Sequence, residues 1–418
     1  MSATVVLGSQ FGDEGKGKLV DALLSTGEYK LVARCYDFHI LCSGLINPEA
    51  INLIGSGTVV HVPQFFKELK NLQEKGINSD GRIFISDRAQ VLFELHKRID
   101  GLQEKALGGA KIGTTGNGIG PCYSDKAARS GIRIAEMLNK PYFDERLRSL
   151  AQGQKSKFGD LLDYDVEKEI QNFDNYREQL KPFIVDGVDM ICQAQDAGQK
   201  ILVEGANALM LDIDYGTYPF VTSSNTGLAG VFSGLGGLRP ENLKTRIGVV
   251  KAYTTRVGSG PFPSETLDET GEKLQRLGYE FGTTTGRKRR CGWLDMVLLK
   301  HSHRINQYTH INLTKLDVLD TFSELKIAIA YHSKNADGTT TTYKHRFPAD
   351  LKALDQDRLE VEYVTLKGWE SDISNCRKWD DLPEKAREYV EFIEKDLGVP
   401  VRWIGVGPSR DAMVERIC

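Results

Sequence analysis

The chain has no Cys-x-x-Cys pair, and its seven cysteines (35, 42, 122, 192, 291, 376 and 418) are odd in number. Neither a disulfide framework nor a structural zinc site is indicated, and a reduced compartment fits. No apolar run approaches the ~18 residues that a membrane-spanning helix needs. Met1-Ser-Ala-Thr4 runs straight into a strand-like stretch, so no signal or transit peptide is expected and the protein reads as cytoplasmic. An excess of one charge is missing too: 54 Lys and Arg face 57 Asp and Glu, a net −3 over 418 residues. That balance gives no global attraction to nucleic acid or to an anionic membrane, and small ligands are the better expectation.

Internal repeats and low-complexity linkers are also absent. One unit over 1–418 is therefore expected, although the length would allow two or three average domains. Apolar strand-like runs at 4–8, 31–35, 83–86, 201–204, 246–253, 310–314 and 402–405 alternate with helical stretches. That alternation predicts an α/β fold with a large, mostly parallel central sheet and helices on both faces. The polar region 140–180, with Glu167 to Leu180 at helical spacing, predicts an inserted helical subdomain of about 123–195. Asp337-Gly338, set between strand formers in 334–345, predicts a hairpin within a carboxyl-terminal region of about 322–370.

What is present is concentrated in residues 8 to 18, Gly8-Ser-Gln-Phe-Gly-Asp-Glu-Gly-Lys-Gly-Lys18, between a short buried strand and the helical run beginning at Leu19. Glycines at such a turn leave amides unpaired where the helix dipole favours an anion. From Gly12 the spacing Gly-x4-Gly17-Lys18 satisfies the phosphate-loop pattern, but Leu19 stands where a Ser or Thr ordinarily ligates magnesium. Another group must hold the metal. Asp13 and Glu14 would repel a polyphosphate unless one of them coordinates that cation or takes a proton from a substrate, and Asp13 is assigned that chemical role. The bland alternative is a glycine-rich turn with solvated charges.

A second nucleotide signal lies at Thr314-Lys-Leu-Asp317, delivered to the carboxyl end of the strand-like run 309–313. A carboxylate there accepts both N1–H and the 2-amino group of guanine, whereas adenine offers no such pair of donors. GTP is the nucleotide selected, with the Lys315 stem free to cover the base. A regulatory GTPase fits poorly, because the two motifs lie roughly three hundred residues apart, beyond an ordinary compact GTPase domain. Two further segments suit anions: Gly113-Thr-Thr-Gly-Asn-Gly-Ile-Gly-Pro121, and Thr283-Thr-Thr-Gly-Arg-Lys-Arg-Arg290. The second also matches a nuclear-localisation or nucleic-acid patch, but its threonines and Gly292-Trp293 suit a folded pocket whose arginine forks take a dicarboxylate or phosphate.

On these motifs the chain closely resembles the adenylosuccinate synthetase family over nearly its whole length. The resemblance rests on GDEGKGK (12–18), GTTGNGIGP (113–121), VEGANALMLDIDYGTYPFVTSSNTG (203–227), KAYTTRVGSGPFP (251–263), TTTGRKRRCGWLD (283–295), TKLDVLD (314–320) and GVGPSR (405–410). It implies a cytoplasmic, magnesium-dependent ligase of AMP biosynthesis in which GTP phosphorylates O6 of IMP and the aspartate amine then displaces that phosphate. By the resemblance, Asp13 is the base and metal ligand, and Lys16 neutralises the transferring phosphoryl group. GTP is held by Gly12, Asp13, Glu14, Gly15, Lys16, Gly17, Lys18, Arg289, Lys315, Leu316, Asp317, Gly405, Val406 and Gly407. IMP is held by Asp13, Glu14, Gly15, Lys16, Thr115, Asn207, Thr222, Arg287 and, across a homodimer interface, Arg129. L-aspartate is gripped by Thr283, Thr284, Thr285, Gly286, Arg287, Lys288 and Arg289.

One departure stands out. The family carries a Gly-Gly-x-Asn-Ala-Gly-His-Thr loop and a hairpin strand before Tyr-Asp-Phe-His, whereas here Cys35 joins Tyr36-Asp-Phe-His39 directly. The absent loop would supply a general-acid histidine, a glycine carbonyl on magnesium and an asparagine on the IMP phosphate. His39 aligns with a later strand histidine and does not replace the acid. The deletion is expected to disturb local strand register and to yield a weak enzyme, or a nucleotide-binding paralogue acting through mixed dimers.

Overall fold

In the computed structural model, which describes residues 2–35, 41–106, 108, 116–282 and 286–416, the run Ala3–Gly8 is a strand buried at every position. Burial on both sides is what a central parallel strand requires. Its period of two divides the side chains between two cores. Val5 and Leu7 pack with Ala33, Val203, Ile191, Val231 and Leu298, while Val6 packs with Val32, Leu202, Val249, Leu19 and Phe65. Helices contribute to each core, so the sheet is sandwiched as expected.

Among the described residues the sheet has ten strands. From one edge they run Met413–Glu415, Val401–Gly405, His310–Thr314, Leu243–Lys251, Ala3–Gly8, Lys200–Ala208, Tyr29–Arg34, Ile51–Ile54, Ile83–Ser86 and Ile184–Val185. All neighbours are parallel except the edge pair Val401–Gly405 and Met413–Glu415. The seven expected runs all fall in this sheet. The run 246–253 ends earlier, at Lys251, and the chain turns before a separate short strand, Thr254–Arg256. Ile51–Ile54 escaped notice because Asn52 interrupts its apolar run. Buried, that side chain donates to Ala50 O at 3.1 Å and Arg82 O at 3.2 Å.

Chain order makes the central strand a switch point. After Ala3–Gly8 the chain builds outward on one side, returns beside it as Lys200–Ala208, then continues on the other side from Leu243–Lys251. A crevice opens at the carboxyl ends where the order reverses, which is where open α/β sheets bind ligands. Both nucleotide motifs leave strands at that edge.

The polar region folds as helices Lys140–Phe158 and Val166–Leu180, the latter capped by Asp165, whose carboxylate accepts the Lys168 N–H at 3.0 Å. Strands Glu324–Lys334 and Thr340–Tyr343 form the expected hairpin, with Gly338 at φ 83° in its turn, and Leu359–Lys367 pairs antiparallel on the other side. Leu31–Arg34 pairs without a slip to Ile51–Ile54 and to Ile201–Glu204. The hydrogen bonds of two flanking strands hold that register. Residues 36–40, on which the expected register disturbance falls, lie outside the described residues.

Ile247 is fully buried in the second core. Ile247→Ala is expected to lower unfolding stability by about 2–5 kcal/mol, read as a reduced denaturant midpoint at unchanged slope.

Candidate active site

The turn after the first strand is built by backbone that most residues avoid. Gly12 (φ 93°), Asp13 (φ 62°) and Gly15 (φ 90°) are all left-handed, and the helix Lys16–Ser25 begins immediately after Gly15. Gly8 allows the close approach beneath it, since a Cβ there would lie 2.4 Å from Asn207 O and 2.7 Å from Glu14 Oε2. Glu14 is fully buried, and its Oε1 accepts the amides of Gln10 (3.1 Å) and Gly12 (2.8 Å). Its Oε2 has no hydrogen-bond partner among the described residues and lies 3.7 Å from Lys16 Nζ, which donates to Asn207 O at 2.5 Å. The two adjacent carboxylates therefore differ in kind. Glu14 faces inward and shapes the loop, while Asp13 is almost half exposed toward the crevice.

Thr314 ties this loop to the Thr314-Lys-Leu-Asp317 segment, its hydroxyl donating to Glu14 O at 2.6 Å. Lys315 follows in the left-handed region at φ 57°, and a single turn, Leu316–Leu319, presents Asp317. Asp317 Oδ1 is buried without a hydrogen-bond partner among the described residues. Burial raises the Asp317 pKa, opposed by Lys18 and Lys315. An acceptor left open in this way suits an incoming pair of N–H donors. Lys18 points away from the anion cradle and donates to Gly407 O and Ala412 O, both at 2.7 Å, bracing the turn at 405–407. Burial lowers its pKa, with Asp317 opposing. Leu316 is fully buried, so its side chain is packing.

A carboxylate outside every sequence motif joins these parts. Glu280, fully buried, places Oε1 2.7 Å from Lys315 Nζ and 2.9 Å from Lys251 Nζ, and Oε2 2.7 Å from Arg289 Nη1. Burial alone would raise its pKa, but Lys251 and Lys315 outweigh that and hold it at about 2. Arg289 continues the chain of charges, with Nε 2.8 Å from Asp13 Oδ2. Its N–H is not aimed along that line, so the contact is an ion pair without a formed hydrogen bond. A line of alternating charges thus runs from Asp13 through Arg289 and Glu280 to Lys315.

The remaining expected residues divide. Thr115, Thr283, Thr284 and Thr285 lie outside the described residues, as does His39. Gly286, Arg287 and Lys288 are exposed on a turn closed by Gly286 N–H to Gly282 O, whereas Arg289 beside them is buried. Asn207, at φ 50°, contributes its carbonyl to Lys16, and Thr222 N–H donates to Leu211 O at 2.8 Å. Arg129 is exposed at the end of helix Ile119–Ala128, away from this crevice's charge line. No group of three His, Cys, Asp or Glu suited to a metal exists among the described residues.

Glu280 was illegible because its partners come from residues 251, 289 and 315. Arg256 was equally hidden. Almost fully buried, it stacks over the Phe11 ring at 4.4 Å and donates to Pro261 O (2.6 Å) and Thr217 Oγ1 (2.8 Å), packing the 258–263 turn beneath the anion loop. Its desolvation lowers its pKa to about 9.

The chain matches the adenylosuccinate synthetase family model over residues 5–414. It is 56% identical over 431 residues to adenylosuccinate synthetase of Coccidioides posadasii, covering 99% of this chain and 100% of that one. With the Aspergillus clavatus adenylosuccinate synthetase it is 56% identical over 434 residues, covering 100% of each. That alignment is 16 positions longer than the 418 residues here (434 − 418), so at least that many of its positions have no counterpart in this chain. A solved structure of fully ligated adenylosuccinate synthetase from Plasmodium falciparum superposes with a TM-score of 0.92 at 39% identity, covering 100% of both chains.

Replacing Glu280 tests the charge line. A carboxyl held near 2 contributes stability that is present above its ordinary value of 4.5 and is lost as pH falls through about 2. Glu280→Gln leaves the buried Lys251 ammonium bonded to Thr255 Oγ1 at 2.7 Å but without its counter-charge, which costs about 3–5 kcal/mol at neutral pH. The difference in unfolding stability from wild type is expected to shrink between about pH 5 and pH 2; a difference constant over that range contradicts the assignment.

Proposed function

This chain belongs to the adenylosuccinate synthetase family, and we propose how its residues divide that family's reaction, the GTP-dependent joining of IMP and L-aspartate into adenylosuccinate. The enzyme is a ligase that forms a C–N bond. The observation that best supports the division is Asp317 Oδ1, a buried acceptor without a donor, on a segment bonded through Thr314 to the anion loop. In this reading N1–H and the 2-amino group of guanine donate to Asp317, with the Lys315 stem on the base and the 405–407 turn at its edge. The triphosphate extends to the amides of residues 12–18, and Arg289 meets it there.

Asp13 takes the N1 proton of IMP, which raises the nucleophilicity of O6 toward the terminal phosphoryl group. Lys16 balances the charge that develops on that group, an electrostatic contribution that matters most where water is excluded. Magnesium fits the donor set, since a single exposed carboxylate beside a phosphate cradle is how this ion is held when substrate oxygens and water complete its shell. Asp13 would ligate it, and the ion would screen the negative charge of the phosphates. IMP is further held by Thr115, Asn207, Thr222, Arg287 and Arg129 of a neighbouring subunit in a homodimer. Aspartate meets the 283–289 loop, whose guanidinium forks suit two carboxylates. The enzyme works in the cytoplasm.

We place the 16-position shortfall between Cys35 and Tyr36. The chain then lacks an acid partner for Asp13, and loss of such a group costs about 100-fold or more in rate. The same shortfall favours a second reading, a nucleotide-binding paralogue that acts in mixed dimers.

A coupled assay with IMP, GTP and aspartate separates these outcomes. The 418-residue chain is expected to turn over about 100-fold or more slowly than a version into which the family's Gly-Gly-x-Asn-Ala-Gly-His-Thr loop and hairpin strand are inserted after Cys35. Equal rates contradict the placement, and GTP binding without product favours the paralogue. Transcript sequencing across codons 35 and 36 decides whether the native message carries the segment. In the restored version, Asp13→Asn abolishes product formation while GTP still binds. Asp317→Asn is expected to move base preference from GTP toward xanthosine triphosphate, because an amide donates to a 2-carbonyl where a carboxylate accepts from a 2-amino group.

A further inference from the structure

We propose that Asp125, oriented by His96, is a positioning residue for the arginine that each subunit lends to the IMP site of its neighbour. The inference rests on the reading of Arg129 given above and deepens it.

Arg129 ends the helix Ile119–Ala128 in the left-handed region, at φ 66°. A residue with a Cβ is disfavoured there by about 1–2 kcal/mol, and its exposed side chain recovers nothing by burial in one subunit. The backbone around it is nevertheless held firmly. Arg129 N–H donates to Lys126 O at 3.1 Å, and the N–H groups of Ser130 and Gly131 both donate to Asp125 O at 3.0 Å. Ser130 Oγ adds a hydrogen bond to Asp125 Oδ1 at 3.0 Å. One residue thus fixes the two that follow the arginine, through its carbonyl and its carboxylate together.

That carboxylate is buried and gathered from three helices. Gln154 Nε2, from Lys140–Phe158, donates to Oδ1 at 2.8 Å and Oδ2 at 3.1 Å. His96, from Glu94–Ala106 and 1% exposed, lies with Nε2 3.2 Å from Oδ2. The Phe93 N–H donates to His96 Nδ1 at 3.0 Å, which makes Nδ1 the acceptor and puts the neutral ring's proton on Nε2, pointing at Asp125. The other end of the Arg129 helix is pinned to the same neighbour, where Gly118 N–H donates to Asp100 Oδ2 at 2.9 Å. A Cβ on Gly118 would lie 2.7 Å from the His96 carbonyl carbon, so the two helices touch backbone to backbone. With both ends clamped, the direction of Arg129 is set by helix packing within its own subunit. None of these groups belongs to the crevice described above.

A merely structural Asp125 would damage its own subunit, whereas a positioning Asp125 acts across the interface, and subunit mixing tells the two apart. Asp125→Asn is expected to raise KM for IMP roughly tenfold, as for a buried hydrogen bond left unmade, with smaller changes in kcat and in KM for GTP. Initial rates are read by incorporation of radiolabelled aspartate, which registers slow turnover. Mixed with Asp13→Asn subunits, which lack the base but carry an intact Arg129, the D125N sites should regain the wild-type KM for IMP. R129A taken through the same mixing is the control for the reading beneath. If R129A is restored and D125N is not, the role of Asp125 is overturned while Arg129 stands. If R129A is not restored, the lending of Arg129 falls first. Should D125N fail to fold, Ser130→Ala removes one bond to the same carboxylate and is expected to show the same rescue from a smaller defect; a KM for IMP unchanged in S130A overturns the proposal.

Discussion

Two carboxylates stand side by side in a loop made for anions, and everything else at the site follows from their facing opposite ways. Glu14 is turned inward, where it accepts the amides of Gln10 and Gly12 and holds the loop open from beneath. A charge buried there is tolerable only because those amides and the nearby Lys16 ammonium answer it. Asp13 is left on the outer surface of the same turn, held there by left-handed backbone. Glu14 inside fixes the Gln10 and Gly12 amides; in the proposed division of roles Asp13 outside is the group that moves a proton.

Around that pair the crevice is organised by charge alternation rather than by apolar packing. Glu280 compensates three cations, two of them, Lys315 and Arg289, on segments that come to the strand ends from different parts of the chain. A network of this kind is costly unless complete, because each buried charge depends on its partners staying in place. In the proposed division of labour the same network reaches from the guanine end of GTP to the base that acts on IMP. Binding at one end is then felt electrostatically at the other without any backbone movement.

Much of this was legible in the residues. The strand–loop–helix at 4–25, the parallel sheet, the 167–180 helix and the Asp337-Gly338 turn all announce themselves through local pattern, where hydrophobic period and turn chemistry agree. The short strands Ile184–Val185 and Met413–Glu415 carry too few residues for a period to show. Glu280 and Arg256 stayed hidden for a different reason, since neither lies in a motif and each gains its role from partners that only tertiary folding brings near. The inward turn of Glu14 was likewise beyond local reading. Up to Arg34 the strand keeps its register between two parallel neighbours, and the disturbance expected beyond it falls on residues 36–40, outside the described residues.

The hydroxyl of Thr314 on the carbonyl of Glu14 looks at first like one more bond between adjacent loops. Its effect is metrical. It fastens the segment proposed to read a base to the loop proposed to grip a terminal phosphate, and so helps to set the span between them. On the proposed assignment the pair of loops would act as a calliper, set to the length of the nucleotide that spans them.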